Sequence, residues 1–304
     1  LLQAILQRNI TLIDYETLVD DHGGRLIAFG KYAGIVGAHN GLWTYGQRTG
    51  LFDWPRLKDL HDFEQARTIY HQTTLPPVKI VLTGSGRVAY GAISALKDMN
   101  IQEVSPLEFL KQEDFETAVF THLTSADYVK HKDNKIFVKK DFYQNPQDYV
   151  SIFKPYAEKA NIFLNCIYWD TRAPAFFTME EIADASFNIE VIGDITCDIA
   201  PESSVPTTLK ASTIDEPVFG IDTESFEITA PYKETSIDVM SIDNLPNELP
   251  RDASRYFGDQ FIKVIIPELM AENSKILDYA TIAKDGALTP HFMYLNEYVH
   301  EAAG

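Results

Sequence analysis

Cysteine is nearly absent: Cys166 and Cys197 are the two in 304 residues. That is too few for a disulfide framework or a thiolate metal cage, and it fits a reducing compartment. Positive charge is also scarce, with 26 Lys and Arg against 44 Asp and Glu and a net charge of -18. Such a surface repels a nucleic-acid backbone or an anionic bilayer, and no local basic cluster offsets it, so neither is an expected partner. No apolar run approaches the roughly 20 residues that span a bilayer, and the opening Leu1-Leu2-Gln3 begins no signal sequence. The expectation is a soluble, cytoplasmic protein. Repeats and low-complexity tracts are missing, and His22, His122 and His131 have no metal-ligand spacing, so no metal site is expected. What remains is ordinary globular composition, 45% hydrophobic and 12% aromatic, in a chain long enough for two domains.

The organisation comes from alternating patterns. Ala33, Ile35, Val36, Ala38, Leu42 and Trp43 share one face of a helix over 33–46, and 55–72 reads as a second, more polar helix that ends before Pro76-Pro77. Residues 78–82 are a branched apolar run bounded by Pro and Gly, as in a strand buried on both faces of a parallel sheet. Residues 84–99 follow as loop and helix. Further strands are expected at 101–104, 118–122, 161–167 and 189–194. Over 143–159, Tyr149, Ile152, Phe153 and Tyr156 fall on one helical face. Strand and helix in repetition define an α/β fold with a doubly wound parallel sheet. After residue 245 the character changes: 247–272 is amphipathic and helical, and the tail from Lys275 is polar.

The most informative local motif is the turn Gly84-Ser85-Gly86-Arg87-Val88-Ala89, between the strand at 78–82 and its helix. Glycines there let the backbone approach a diphosphate, whose charge then sits on free amides at the helix N-terminus. A tight turn without a ligand is the alternative. A dinucleotide site of this kind carries an acidic residue about 20 residues on, against the ribose hydroxyls. That place reads Glu103-Val104-Ser105. Glu103 there favours NAD; Ser105 there leaves room for a 2′-phosphate and favours NADP. The expected cofactor is a nicotinamide dinucleotide, with NADP preferred slightly.

Longer phrases stand beside this loop: Gly24-Arg25-Leu-Ile-Ala-Phe29-Gly30, Asn165-Cys-Ile-Tyr168-Trp169, Gly193-Asp194-Ile-Thr-Cys-Asp198 and Met240-Ser-Ile-Asp243-Asn244-Leu-Pro246. In order and spacing the chain resembles the lysine-forming saccharopine dehydrogenases. It is most similar to the lysine–2-oxoglutarate reductase half of the bifunctional lysine-degrading enzyme. Alanine dehydrogenase and the transhydrogenase nucleotide domain belong to the same wider superfamily. The resemblance implies a Rossmann domain and part of a second α/β lobe, which together enclose a cleft. It places the end of the N-terminal lobe at 1–33, the nucleotide domain at 34–245 and returning helices at 246–304. The Lys and His that move protons in the family lie in an earlier part of that lobe, and nothing here matches them. The chain by itself is therefore expected to bind nucleotide and to catalyse little.

Carried over residue by residue, the resemblance puts Gly86 and Arg87 at the cofactor phosphates, within the turn formed by Gly84, Ser85 and Val88. It puts Tyr168 beside the cofactor and Ile195 near the nicotinamide. Ile242, Asp243, Asn244 and Leu245 form the loop against that ring, with Asp243 the candidate catalytic residue. Thr196, Cys197, Asp198, Arg25 and Phe29 are expected to meet the amino-acid substrate. The fungal-type enzymes have two successive arginines where this chain has Gly24-Arg25. A planar guanidinium at Arg25 suits a carboxylate of saccharopine, a surface turn being its bland rival. Asp243 could equally cap the helix that follows it. Cys197 reads as a small buried residue, not a nucleophile.

The implied activity is NAD(P)-dependent oxidoreduction at the CH–NH bond of saccharopine, by reductive condensation of lysine with 2-oxoglutarate or its reverse. The alternatives are an alanine dehydrogenase-like enzyme and a non-catalytic nucleotide-binding protein. A small amino-acid substrate is the expected partner, and a homo-oligomer is compatible with the sequence.

Overall fold

The computed structural model describes residues 1–300. The chain forms two compact units, one of residues Leu1–Phe29 with the segment from Ala253 onward, the other Gly30–Asp252. The unit boundaries thus fall at 29/30 and 252/253, where the sequence suggested 33/34 and 245/246.

The larger unit is built on an eight-stranded sheet. We label its elements α1 (Gly30–Thr49), α2 (Phe63–Gln72), β1 (Lys79–Thr83), α3 (Arg87–Asp98), β2 (Gln102–Val104), β3 (Val119–Leu123), β4 (Ile162–Asn165), β5 (Val191–Asp194), β6 (Val218–Asp222), β7 (Ile228–Thr229) and β8 (Ser236–Met240). The strand order is β7-β6-β8-β5-β4-β1-β3-β2. The run from β8 to β2 is parallel, while β6 is antiparallel to β8 and to β7. Alternation within β1 explains why both faces are covered. Ile80 and Leu82 face a core shared with α1, α2 and α3, whereas Val81 faces Phe109, Phe153 and Phe163.

Helices α1 and α3 cross closely because Gly34 lies at the contact: a Cβ there would stand 1.9 Å from the Val88 carbonyl oxygen. The strand β8 is buried throughout although its sequence is Ser-Ile-Asp-Val-Met. Its Asp238 is tolerated inside because Arg48 of α1 donates to it at 2.9 Å.

Two sequence expectations fail locally. Residues 55–72 are not one helix: a single turn at Leu57–Asp59 precedes α2, whose start is fixed by Asp62 accepting from the Gln65 amide at 3.0 Å. Residues 143–159 are not one helix. Tyr149–Ser151 is a strand paired antiparallel with Val129–His131, and one helical turn follows at Lys154–Ala157. A continuous helix over this range would lose amide donors at Pro146 and Pro155, and Tyr149 in the strand donates its hydroxyl to Asp141 at 2.7 Å.

The smaller unit holds a three-stranded antiparallel sheet of Leu12–Ile13, Thr281–Lys284 and Ala287–Leu288 over a small core of Leu18, Ile27, Ile265 and Ala280. Its helical stretch from Pro250 to Gln260 continues through a π-turn at Phe261–Ile265 to Met270, close to the expected 247–272.

Candidate functional site

The C-terminal ends of β1, β3, β4 and β5 meet around a cavity of about 730 Å³ within the larger unit. Ligands bind at this edge of open α/β sheets, where strands leave in both directions from a central one. Here β1 is that strand, with β3 on one side and β4 on the other.

The turn after β1 is the cavity's polar end. Gly84 has φ +115, and a Cβ on it would lie 2.5 Å from the Cys166 carbonyl oxygen, so only glycine fits. The turn is anchored to β3 twice: the Gly84 amide donates to the Leu123 carbonyl at 3.2 Å, and His122 Nε2 donates to the Gly84 carbonyl at 2.5 Å. Ser85, Gly86 and Arg87 are exposed to the cavity. Helix α3 opens at Gly86 with no side-chain cap and no acid in its first turn, and nothing lies within 4 Å of where a Gly86 Cβ would be. Uncapped amides, open space and no nearby carboxylate in the turn are what a diphosphate requires, so the residues fit the group.

Ser105 is not brought to this cavity. Strand β2 lies at the sheet edge, with β3 between it and β1, and Ser105 caps the helix Pro106–Lys111 by accepting from the Glu108 amide at 3.2 Å. Glu103 is turned to Lys97, at 2.8 Å. The strand beside β1 is β3, whose last residue Leu123 is followed by Thr124 and Ser125. Ser125 lines the cavity. The one carboxylate in the next turn, Asp127, accepts from the Thr124 amide and hydroxyl, both at 2.8 Å, in a capping box. Sequence reading missed Thr124 and Ser125 because spacing alone does not tell which strand is the neighbour. The Thr-x-x-Asp box after an apolar run was the available signal.

The other wall is aromatic, with Tyr128, Phe142, Tyr143, Trp169 and Phe176. Tyr168 lines the cavity and is 98% exposed, so no other side chain of the unit covers it. Beyond it, Asp170 is gripped by both arms of Arg172, which holds its carboxyl at about 2.

The turn after β5 completes the cavity with Ile195, Thr196 and Asp198. Ile195 is buried against α1, where a Cβ on Gly37 would come within 2.4 Å of it. Thr196 donates to the Ile167 carbonyl at 2.6 Å, and Cys197 Sγ donates to the Ser241 carbonyl at 2.9 Å. Burial raises the Asp198 carboxyl above its usual range. Burial, with Asp194, Asp243 and Asp198 nearby, pushes the Cys197 thiol up to about 12, and burial pushes Cys166 up as well. Neither is a thiolate at neutral pH, so neither is a nucleophile. The loop after β8 places Ile242 and Leu245 inside and Asp243 and Asn244 outside. Asn244, not Asp243, holds the cap position of the next helical turn, and it makes no side-chain cap hydrogen bond.

Arg25 and Phe29 belong to the smaller unit. Arg25 reaches Glu16 at 3.5 Å, and Phe29 stacks on Phe257 with centroids 4.5 Å apart. Among the described residues no helix is long and apolar enough to cross a membrane, and no cluster of three or more His, Cys, Asp or Glu could hold a metal ion.

A mostly parallel sheet with a glycine turn into an uncapped helix defines a Rossmann-like α/β fold. No known protein-family profile matches the chain. It is 30% identical to an alpha-aminoadipic semialdehyde synthase of Arabidopsis thaliana over 340 aligned residues, which cover 97% of this chain and 31% of that protein. It is 29% identical to a saccharopine dehydrogenase [NAD(+), L-lysine-forming] of Neurospora crassa, covering 86% of this chain and 61% of the relative. The fold matches a solved L-alanine dehydrogenase with a TM-score of 0.57 at 14% identity, over 98% of this chain and 72% of that one. The chain is a homologue of the alpha-aminoadipic semialdehyde synthases and the lysine-forming saccharopine dehydrogenases, as its motifs suggested, and spans about a third to three-fifths of their length.

Proposed function

We propose that this chain supplies the nicotinamide-dinucleotide site of an oxidoreductase acting on the CH–NH bond of saccharopine, in the reductive condensation of lysine with 2-oxoglutarate or its reverse. The observation that carries the proposal is the uncapped Gly84–Gly86 turn opening into the cavity, in a chain homologous to saccharopine-forming or saccharopine-cleaving enzymes over nearly its whole length.

In this reading the amides after Gly84, with Arg87, bind the diphosphate, and Tyr168 borders the nucleotide. Ile195, backed in the core by Ile242 and Leu245, bounds the nicotinamide, which supplies or accepts the hydride. Thr196 and Asp198 face the amino-acid substrate. Asp243, exposed on the adjoining loop, is the candidate to act at the reacting bond. A tricarboxylate substrate needs cations, and the resemblance offers Arg25 as the candidate. The cofactor reading is NADP. Its support is that the strand next to β1 is followed by Thr124-Ser125, while Asp127, the carboxylate that could repel a 2′-phosphate, is committed to its own helix turn.

The test is a thermal-shift titration of the chain with NADP, NAD and saccharopine, alone and in pairs, since a ligand bound only by the folded state raises the midpoint by mass action. The expected result is a larger shift with NADP than with NAD, enlarged again by saccharopine. No shift with either dinucleotide would overturn the reading, and a larger shift with NAD would reverse the cofactor assignment.

A further inference from the structure

His122 is a residue beside the phosphate turn that the motifs leave without a role. It stands on β3 two residues after Phe120 and opposite Leu82 of β1, so its ring lies on the sheet face covered by α1, α2 and α3. Two contacts hold the ring there. Nε2 lies 2.5 Å from the Gly84 carbonyl oxygen, and the ring meets Tyr90 of α3 edge-on with centroids 6.2 Å apart. A carbonyl oxygen only accepts, so the ring carries a proton on Nε2. That donor is present whether or not Nδ1 takes a second proton.

The bond decides something that glycine leaves open. Lacking a Cβ, Gly84 can take φ +115, but it does not by itself choose the direction of the peptide that follows. In that planar trans unit the Gly84 carbonyl and the Ser85 N–H point opposite ways. With the carbonyl turned to His122 on the helix-covered face, the Ser85 N–H is turned toward the other face. The aromatic wall of the cavity lies on that side, since Tyr128, Phe142 and Phe176 belong to the core of the opposite face. Ser85 is itself exposed to the cavity, and among the described residues its amide has no hydrogen-bond partner.

We infer that His122 is a positioning residue, which fixes the 84–85 peptide so that the Ser85 amide is presented to the diphosphate of a bound dinucleotide. The task of that amide rests on the dinucleotide reading above, and the direction of the peptide rests on geometry alone.

The experiment compares wild type with His122→Phe, His122→Asn and His122→Gln by calorimetry. The ligands are NADP, NAD and ADP, which carry a diphosphate, and adenosine 2′-monophosphate, which has none. Phenylalanine keeps a ring against Tyr90 but has no donor. Glutamine's amide nitrogen reaches the place of Nε2, whereas asparagine's falls short, at the place of Nδ1. Losing the bond frees the 84–85 peptide to turn and takes one amide from the diphosphate. His122→Phe should therefore weaken the three diphosphate ligands about tenfold, with the monophosphate changed less than about twofold. His122→Gln should bind all of them within about threefold of wild type. His122→Asn should match His122→Phe, and serves in its place if the phenylalanine variant does not fold. Equal loss across all four ligands, undiminished binding of the diphosphate ligands or no recovery with glutamine would overturn the inference.

Should the wild type bind no nucleotide, the dinucleotide reading fails, and the peptide is still judged by crystal structures of the wild type and His122→Asn. A Gly84 carbonyl turned away from position 122 in the variant supports the positioning role, and a carbonyl that keeps its direction refutes it.

Discussion

Gly84 after β1 and Cys197 after β5 both take positive φ, +115 and +58, at the same edge of one sheet. At Gly84 the backbone needs no help, because glycine has no Cβ to obstruct it, and the sequence announces the turn by its spacing. At Cys197 the residue type argues against the bend, and the turn is held by groups distant in sequence, with Thr196 donating to the Ile167 carbonyl and Cys197 Sγ to the Ser241 carbonyl. One turn is written locally, the other is imposed by its neighbours, and the two should respond differently to substitution.

The largest effect is expected at Gly84. Alanine there must occupy an unfavourable φ and meet the Cys166 carbonyl at 2.5 Å. Strain and overpacking together should cost about 4 kcal/mol, read by chemical denaturation, with dinucleotide binding lost in parallel. A Gly84→Ala protein of wild-type stability would show that the turn is not locally dictated.

Next comes the pH dependence of Asp194. Burial pushes its carboxyl up to about 6 from an ordinary 3.8, against the hydrogen bonds it accepts from Asn165 and Thr208. A group raised on folding contributes stability that is full below the unfolded value and lost as pH rises through the folded one. Between pH 4 and 7 the wild type should therefore lose about 2 kcal/mol relative to Asp194→Asn, measured as the difference between their urea-unfolding free energies. A difference independent of pH would mean that the carboxylate is charged at little cost.

Ser105 gives the smallest effect. It is a local motif of the same legible kind as Gly84, but it lies outside the cavity, so Ser105→Ala should cost about 1 kcal/mol of stability through the lost cap. Dinucleotide affinity should stay unchanged in the same variant. A selective loss for NADP would restore the ribose role that its spacing suggested.

The strands β1, β3, β4 and β5 were legible because each is a short continuous apolar run. The helices α1 and α3 were legible from their period, and the phosphate turn from its glycines. The strand β8 was not, since Ser236 and Asp238 read as polar until Arg48 of α1 is seen to compensate the buried carboxylate. The hairpin at Val129–His131 and Tyr149–Ser151 was hidden because aromatic residues at 149, 153 and 156 also fit a helical face. Of the site, the residues flanking the cavity from β4 and β5 were found through resemblance. The sequence placed the ribose contact at Glu103 or Ser105 by counting from the glycines, and the structure brings β3, not β2, beside β1.

By itself the sequence determined which segments become strands and helices and where a phosphate can approach backbone, because side-chain period and the missing Cβ of glycine act within a few residues. Tertiary structure alone decided strand order, the partner of each buried charge and the bend at Cys197. Those depend on groups far apart in sequence, such as Thr83, Asn165 and Asp194, which become neighbours only once the sheet has formed.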